Sequence, residues 1–181
     1  MASIMPSLNN ITWDRVDKEE SVTYPCEGTD QPGTEIVFSQ NFPTNSGLGK
    51  IVPTNIISPD ELPDQNFPFV LTTGRLLEHW HTGSMTRKSE TLDKIEPEAI
   101  VSMNSQDMNF LKLEPGNKVT VKTRRGSVTL SVRQDRELPK GMIFIPFCFS
   151  EAAANKLTNP QLDPYGKIPE FKYCAANIEA C

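Results

Sequence analysis

A polar segment from Thr73 to Thr86 carries side chains that could bind a ligand. It reads TGRLLEHWHTGSMT and places Arg75, two histidines, several hydroxyls and two glycines around Trp80. Guanidinium, imidazole and hydroxyl groups bind anions, an indole ring offers a stacking surface, and glycine lets the backbone approach a ligand closely. This combination suits phosphate together with a nucleobase or a pterin. A polar turn with one core histidine and a packed tryptophan would explain the same residues, and both interpretations stay open here.

Two further patterns in the sequence point only weakly to chemistry. His79 and His81 are two residues apart, so in a strand both rings would share a face and could ligate a metal, but no third ligand is evident. Gly47-Leu48-Gly49-Lys50 is similar to a phosphate loop, yet no strand precedes it and Pro53 blocks a following helix. We therefore predict no metal site and interpret the glycine pair as a flexible turn. No nucleophile elbow, complete phosphate loop, dinucleotide fingerprint or zinc-protease motif is present in the chain.

The cysteines predict neither a metal centre nor a disulfide scaffold. The chain has 4 cysteines without a C-x-x-C pair and only 2 histidines, which disfavours a zinc cage or an iron-sulfur cluster built from this chain alone. Their density and spacing are also unlike those of small secreted disulfide-rich domains. We expect most of these thiols to be buried as small hydrophobic groups.

The composition indicates a turn-rich globular chain with an uneven charge distribution. Residues 1–65 carry 10 acidic and 3 basic side chains, a net charge of −7, whereas residues 66–181 carry 13 acidic and 15 basic, a net charge of +2. An anionic ligand held by the later part would fit this division, and so would an acidic extension beside an ordinary domain. No apolar run is long enough for a membrane helix and no signal sequence is evident, so we expect a cytoplasmic protein without membrane insertion. We also expect no nucleic-acid partner.

The elements that would position the polar segment are short strands. An apolar run from Phe67 to Thr73 predicts a buried strand directly before it, and Ala99 to Met103 predicts another. Alternation at Val119, Val121 and Thr123, resumed at Val128, Leu130 and Val132 after a turn, predicts a hairpin with one buried face. Further strands are predicted for Met142 to Pro146 and Phe171 to Ile178. About six short strands with brief connecting helices favour a small barrel or sandwich.

Helices are predicted to be few and short. Asn104 or Ser105 could cap a helix over SQDMNFLKL, and an alanine-rich helix is expected from Glu151 to Leu157. Residues 1–65, with 7 prolines and 4 glycines, predict an extended arm. One helical turn is plausible within Ile11 to Glu20, where Thr12 would cap it and Trp13 and Val16 would face a core.

Three long strings resemble one known family. FPFVLTTGRLLEHWHTGSMTR, the hairpin with RRG at its tip, and PFCFSEAAANKLTNPQLDPYGKIPEFKYCA resemble the C-terminal dinucleotide-binding domain of molybdopterin oxidoreductases. The resemblance is strongest to the large subunit of cytoplasmic formate dehydrogenases, with periplasmic nitrate reductase related in the first string. Upstream, MPSLNNITWDRVDKEESVTYPC and GKIVPTNIISPDELPD resemble the segment that leads into this domain. Essentially the whole chain is covered.

The resemblance implies a fold and a site. The fold would be mainly β, a six-stranded double-psi β-barrel with short helices at residues 66–181, preceded by the extended Pro/Gly-rich arm. It would bind bis-molybdopterin guanine dinucleotide, whose dithiolenes ligate molybdenum or tungsten, and Phe147 would lie near the substrate funnel. The implied cofactor-binding residues are Thr73, Gly74, Arg75, Leu76, Leu77, Glu78, His79, Trp80, His81, Thr82, Ser84, Met85, Thr86, Asn155 and Lys172.

The resemblance also implies that the chemistry is shared with another polypeptide. In the family, an upstream portion carries the iron-sulfur cysteines, the cysteine or selenocysteine on the metal, and the histidine and arginine beside it. This chain is therefore expected to be the cofactor-binding part of an enzyme that oxidises formate to carbon dioxide with loss of two electrons, and to be inactive alone. It would be a detached C-terminal domain, a shortened protein or a separately encoded subunit, and its partners would be the N-terminal domains or catalytic subunit and electron-transfer subunits. A nitrate reductase domain and a non-catalytic barrel that docks a partner through its arm are the alternatives.

Overall fold

The computed structural model describes all 181 residues and divides the chain into two compact units, Met1–Ile56 and Ile57–Cys181. The second unit is a closed six-stranded barrel, which confirms the predicted mainly β fold. None of the helices has the length and apolar character needed to span a bilayer. The strands are β1 (Phe69–Gly74), β2 (Ile100–Met103), β3 (Lys118–Lys122), β4 (Ser127–Gln134), β5 (Met142–Pro146) and β6 (Cys174–Ala180), and the α-helices are α1 (Trp13–Glu19), α2 (Glu90–Ile95) and α3 (Ser105–Leu111).

The strand order around the barrel is β1-β5-β2-β4-β3-β6, and β6 closes the ring against β1. The pairs β1–β5 and β2–β4 are parallel, whereas all other neighbours are antiparallel. The first three strands and the last three make equivalent pairs: exchanging β1 with β4, β2 with β5 and β3 with β6 gives the same set of neighbours and directions. Two similar halves therefore interlock, as a double-psi barrel requires.

The core lies inside the barrel and is built by alternation along the strands. Val119 and Val121 of β3 are fully buried and are paired with Leu130 and Val128 of β4, so the predicted hairpin is confirmed. Side chains from every strand join one continuous apolar cluster, to which α3 contributes Met108. Closing the sheet leaves no strand edge unpaired, and this limits exposure of backbone donors and acceptors.

Helix α3 follows β2 as the sequence indicates. The side chain of Asn104 caps it by accepting a hydrogen bond from the Gln106 N–H at 2.8 Å. The buried carboxylate of Asp107 accepts a hydrogen bond from the Gly141 N–H at 2.7 Å, which ties the helix to the turn before β5. The short helix therefore braces one end of the barrel.

The first unit is organised by a buried arginine. Thr12 caps α1 by accepting from the Arg15 N–H, as predicted, but Trp13 is 83% exposed and does not face a core. The Arg15 side chain is buried instead. Its guanidinium donates to the carbonyls of Asn10, Gly28 and Gln31. These bonds substitute for an apolar core because they satisfy loop carbonyls at three separate positions.

Two predicted elements differ from the structure. The alanine-rich stretch forms two separate 3₁₀ turns, Ser150–Ala152 and Ala154–Lys156, because Ala153 between them adopts ψ 111°. Tertiary hydrogen bonds override helix propensity here, since the Leu157 carbonyl accepts from Thr123 Oγ1 and from the Arg125 guanidinium. The last strand begins at Cys174 and not at Phe171, because the Phe171 carbonyl accepts a bond from the Thr73 side chain.

Candidate ligand-binding site

Two cavities, of about 470 and 440 Å³, are lined in part by the polar segment that follows β1. The first, here named the Arg75 cavity, is lined by Arg75, His81, Phe147, Phe171 and Lys172. These residues come from three parts of the chain, following β1, following β5 and preceding β6. The barrel topology therefore gathers residues that are about 100 positions apart into one site.

Parallel pairing of β1 with β5 explains how the cavity forms. Gly74 is paired with Pro146 at the ends of these strands, and the Phe147 N–H donates to the Gly74 carbonyl at 3.1 Å. Because parallel strands end at the same edge, the segments leaving β1 and β5 emerge side by side. Arg75 and Phe147 consequently face the same space.

Two hydrogen bonds attach the third wall of the cavity to β1. The buried Thr73 hydroxyl donates to the Phe171 carbonyl at 2.7 Å, and Lys172 Nζ donates to the Thr73 carbonyl at 3.0 Å. The ammonium also lies 5.4 Å from the centre of the Phe171 ring. Lys172 is thus positioned by one bond and retains two N–H groups for a ligand.

Arg75, Trp80 and His81 form a compact group at the cavity. The exposed Arg75 guanidinium is 3.2 Å from His81 Nε2 and 5.6 Å from the centre of the Trp80 ring. The Trp80 and His81 rings meet edge to face at 4.6 Å, and His81 has a positive φ of 48°. A cation, an imidazole and a stacking surface are therefore adjacent, as the polar segment suggested.

The second cavity, here named the Ser84 cavity, is lined mainly by small polar and cationic residues, namely Thr82, Gly83, Ser84, Arg87, Lys88, Cys148 and Ser150. Arg87 is anchored by Glu151 at 2.6 Å and Asp93 at 3.2 Å, and its guanidinium lies 4.8 Å from the Phe149 ring centre. Partial burial opposes the charge of Arg87, but the two carboxylates raise its pKa above the ordinary value. Burial raises the pKa of the Cys148 thiol to about 11, so this group stays protonated at neutral pH.

Several segment residues are used internally and not at the cavities. His79 is fully buried, its Nε2 lies 2.8 Å from the Glu96 carbonyl, and its ring packs edge-on against Phe149. Since a carbonyl only accepts, the proton resides on Nε2, and Nδ1 is left without a partner. The Thr86 hydroxyl accepts from the Trp80 N–H at 3.0 Å. His79 and Thr86 therefore shape the segment.

Two glycines in the segment are required by close approach. A Cβ at Gly74 would lie 2.6 Å from the Phe144 ring, so this glycine makes room for a side chain of β5 and not only for a ligand. Gly83 has φ 72°, and a Cβ there would lie 2.6 Å from the Cys148 carbonyl oxygen. The segment is thereby held close to the chain that leaves β5.

The other residues implied by the resemblance are placed as follows. Leu76 packs against the barrel core, whereas Leu77, Trp80 and Met85 are exposed at 96%, 59% and 68%. Glu78 is half-buried and lies near Arg133, whose pKa is raised by its hydrogen bond to Glu96 and also by Glu78. Asn155 is exposed in the second 3₁₀ turn and lines neither cavity. The structure therefore brings Lys172 and Phe147 to the segment but does not bring Asn155.

Sequence reasoning missed Phe171 and Arg87 as residues that line the cavities. Phe171 was assigned to a strand, and only its position beside Lys172 could have indicated a surface role. Arg87 directly follows the polar segment, but its partner Asp93 is six residues away, a spacing that predicts no helix-surface ion pair. The pairing with Glu151 is 64 residues distant and has no local signature.

The donor set of the two cavities fits an anionic nucleotide cofactor. Neither cavity is lined by an Asp or Glu side chain, and together they present Arg75, Lys172, Arg87, Lys88 and the hydroxyls of Thr82 and Ser84. Cations and hydroxyls in this arrangement suit pyrophosphate, and the three aromatic rings near Arg75 suit a flat heterocycle. No group of three or more His, Cys, Asp or Glu side chains in the structure could hold a metal.

Comparison with known proteins defines the class. The family model described as "Molydopterin dinucleotide binding domain" matches residues 69–175, which include all six barrel strands in whole or in part and both cavities. The chain belongs to this family of molybdopterin dinucleotide-binding domains.

The relatives that match this chain are alpha subunits of F420-dependent formate dehydrogenases. The chain is 42% identical over 176 residues to the F420-dependent formate dehydrogenase subunit alpha of Methanocaldococcus jannaschii, covering 97% of this chain and 26% of that subunit. It is 38% identical to F420-dependent formate dehydrogenase 1 subunit alpha of Methanococcus maripaludis, covering 99% of this chain and 26% of that subunit. The chain thus spans about a quarter of the length of these relatives.

A solved structure supports the fold. Acetylene hydratase from Pelobacter acetylenicus superposes with a TM-score of 0.58 at 20% identity, covering 64% of this chain and 18% of that protein. At this identity the likeness concerns the barrel architecture alone.

Proposed function

We propose that this chain holds molybdopterin guanine dinucleotide at the Arg75 and Ser84 cavities as the C-terminal part of a formate dehydrogenase. The observation that carries the proposal is the convergence of Arg75, His81 and Lys172 on one cavity without a carboxylate, within a molybdopterin dinucleotide-binding domain. When bound, the cofactor carries molybdenum or tungsten and supplies the two-electron chemistry of formate oxidation to carbon dioxide. This chain would supply binding and orientation.

Each side chain has a defined task in this proposal. Arg75 and Lys172 bind and neutralise the anionic groups, because charge-assisted hydrogen bonds are the strongest available to them. Phe147 and Phe171 form apolar walls of the Arg75 cavity against a flat ring, and the exposed Trp80 ring beside His81 offers a further stacking surface. Thr82 and Ser84 donate hydroxyl hydrogen bonds at the second cavity, where Lys88 adds a positive charge and Arg87 is already paired with Asp93 and Glu151.

The rest of the enzyme would come from another portion or subunit. The relatives are alpha subunits of F420-dependent formate dehydrogenases, and the match covers 26% of each. We propose that the missing portion supplies the metal ligand and iron-sulfur cluster and that electrons leave through further subunits towards F420. The first unit exposes large apolar side chains, including Trp13, Ile51 and Ile56, and these would pack on that portion.

We further propose a cytoplasmic location for the assembled enzyme. All four cysteines are free thiols, and three of them are buried. This cysteine usage fits a reducing compartment.

The proposal is tested on the chain co-produced with a polypeptide that corresponds to the rest of the M. maripaludis alpha subunit. We expect acid to release GMP from the purified assembly. Arg75→Ala and Lys172→Ala should each accelerate cofactor loss during dialysis about 10- to 150-fold, because each removes a charge-assisted bond.

Arg136→Ala and Lys140→Ala are matched controls, since both residues are exposed and line neither cavity. They should release GMP at the wild-type rate. A metal-replete wild-type assembly without guanine nucleotide would contradict the proposed function. Wild-type retention by both cavity variants would contradict the assigned residues.

A further inference from the structure

We propose that His81 takes up a proton when a pyrophosphate diester binds in the Arg75 cavity, so that binding at this site is linked to pH. The inference rests on the proposed function, because it concerns the same cavity and an anionic dinucleotide. It adds an imidazole to the guanidinium of Arg75 and the ammonium of Lys172 as a group that can bind the anion. His81 would therefore determine how affinity varies with pH.

The geometry fixes the protonation state of His81 in the free chain. Arg75 Nη2 lies 3.2 Å from His81 Nε2. A guanidinium has donors and no acceptor, so Nε2 must accept, and the imidazole proton resides on Nδ1. His81 is consequently neutral while Arg75 is bonded to it.

Before a ligand arrives, the cavity around His81 contains other cations and no carboxylate. The groups that line the same cavity are the cations Arg75 and Lys172 and the rings of Phe147 and Phe171. Trp80 packs against the other side of the imidazole, at 4.6 Å. No carboxylate lines the cavity, so positive charge on His81 would be opposed by two neighbouring cations.

An entering anion reverses this balance. Its oxygens attract the Arg75 guanidinium, which is exposed and tied to the ring by a single hydrogen bond. Once Arg75 turns to the anion, His81 Nε2 loses its donor and faces negative charge, which favours protonation. The imidazolium of His81 then donates a hydrogen bond from Nε2 to the anion. The cavity thereby binds the anion with three cations, His81, Arg75 and Lys172, where it previously had two. The added proton comes from solvent, and no covalent bond changes.

Thermodynamic linkage gives the sign of the effect. If the complex binds one more proton than the free components, affinity rises as pH falls, by at most about tenfold per pH unit. The dependence belongs to the range of about pH 5 to 8 in which histidines titrate. His79, the one other histidine of the chain, is buried and bonded to the Glu96 carbonyl, away from the cavity lining.

The experiment uses the full chain and P1,P2-di(guanosine-5′) diphosphate, whose pyrophosphate has no titrating group in this pH range. Isothermal titration calorimetry between about pH 5.5 and 8, in buffers of different ionisation enthalpy, measures affinity and proton uptake together. We expect tighter binding at lower pH and net proton uptake approaching one per ligand. His81→Asn, which tolerates the positive φ, should bind without proton uptake and with a flat pH profile.

Nitrogen NMR of the His81 ring provides a second readout that a purely structural role would not move. The free chain should show the Nδ1–H tautomer, and the complex should show both nitrogens protonated at a pH where the free ring is neutral. An Nε2–H tautomer in the free chain would overturn the inference. So would wild-type binding with neither pH dependence nor proton uptake, although the proposed function would then stand. Failure of the wild-type chain to bind the probe at any pH would overturn this inference, whereas the proposed function is decided separately by GMP release from the assembly.

Discussion

Gly83 shows how much of the site depends on a single residue. Its backbone has φ 72°, and a side chain there would meet both the Cys148 carbonyl and the Arg87 methylenes within 3.0 Å. The backbone oxygen cannot move aside without shifting the segment that leaves β5. Gly83 therefore fixes the spacing between the two segments that line the Ser84 cavity.

Gly83→Ala should destabilise the barrel more than Gly116→Ala, and urea unfolding of both variants measures the difference. Gly116 is the matched control because it has φ 89° with nothing within 4 Å of its added Cβ. We expect about 1 to 2 kcal/mol for the control, from the left-handed backbone alone, and a further 1 to 3 kcal/mol at Gly83 from overpacking. Equal losses would show that the contact with Cys148 is unimportant.

At this scale the sequence predicts caps and polar clusters but not the use of each side chain. Thr12 and Asn104 cap helices as expected, because capping depends on neighbours in sequence. His79 and His81 have the same chemistry and different fates, one buried in the barrel unit and one at the cavity. His79 packs against Phe149, whereas His81 has a positive φ and lies near Phe147, and neither partner is close in sequence.

The connection between the second 3₁₀ turn and β6 is the element that presents Lys172. The Asp163 carboxylate accepts from the backbone N–H groups of Tyr165, Gly166 and Ile168 at 2.7 to 3.0 Å. The buried Asn159 side chain then ties the returning chain through Glu170 and the Tyr173 carbonyl. A loop without regular structure is thus ordered by side-chain bonds to its own backbone.

Asp163→Asn should loosen this loop, and the wild-type loop should loosen in acid. The three backbone N–H groups lower the pKa of Asp163, so the ionised carboxylate is favoured in the folded loop. The ionised Asp163 carboxylate stabilises the folded loop fully above the ordinary aspartate pKa of about 3.9. This stabilisation is lost as the pH falls through the lower pKa that Asp163 has in the folded loop. Amide hydrogen exchange at residues 165–168 should accelerate in the variant near neutral pH. Asp30→Asn is the control, because Asp30 is exposed and its side chain makes no hydrogen bond, and it should leave this exchange unchanged. Unchanged exchange in Asp163→Asn would show that other contacts hold the loop.

Elements with a strong local pattern were predictable, and those defined by distant partners were not. The β3–β4 hairpin follows from alternating valines and a short turn. The 3₁₀ turns at 150–156 do not, because the bonds from Thr123 and Arg125 to the Leu157 carbonyl span more than 30 residues. Where a connection that lines a cavity is held by distant partners, its position could be predicted only from the family resemblance or seen in the structure.

On the scale of the molecule, residues upstream of β1 belong to the barrel unit. Glu61 is paired with Arg124 and Arg125 at the tip of the β3–β4 hairpin and accepts from the Ala175 N–H of β6 at 3.1 Å. Arg124 also pairs with Asp64. The sequence placed a boundary after residue 65, whereas the compact unit begins at Ile57. Charge composition could not reveal these pairs, since they join acidic residues of the predicted arm to the basic hairpin.

Two fragments test this organisation. Residues 57–181 should fold alone, with one cooperative thermal transition, because they contain the whole barrel core and its Glu61 contacts. Residues 66–181 should be less stable by about 1 to 3 kcal/mol, because this fragment lacks Glu61 and leaves its partner Arg125, whose side chain is only 23% exposed, without a carboxylate to pair with. Glu61→Gln in the longer fragment should show a similar loss. Equal stability of both fragments would instead place the functional boundary near residue 65.

The way the ring closes also constrains how the protein is made. Strand β1 pairs only with β5 and β6, so its first partner is synthesised about 70 residues later and its second about 100 residues later. On the ribosome, β1 and the polar segment behind it stay without their strand partners until β5 and then β6 have been synthesised. Loss of the final eight residues, 174–181, would leave β1 and β3 without their shared neighbour and open the seam of the barrel beside Lys172. Nascent chains that stall before β6 has been synthesised would therefore expose unpaired strands to chaperones and proteases.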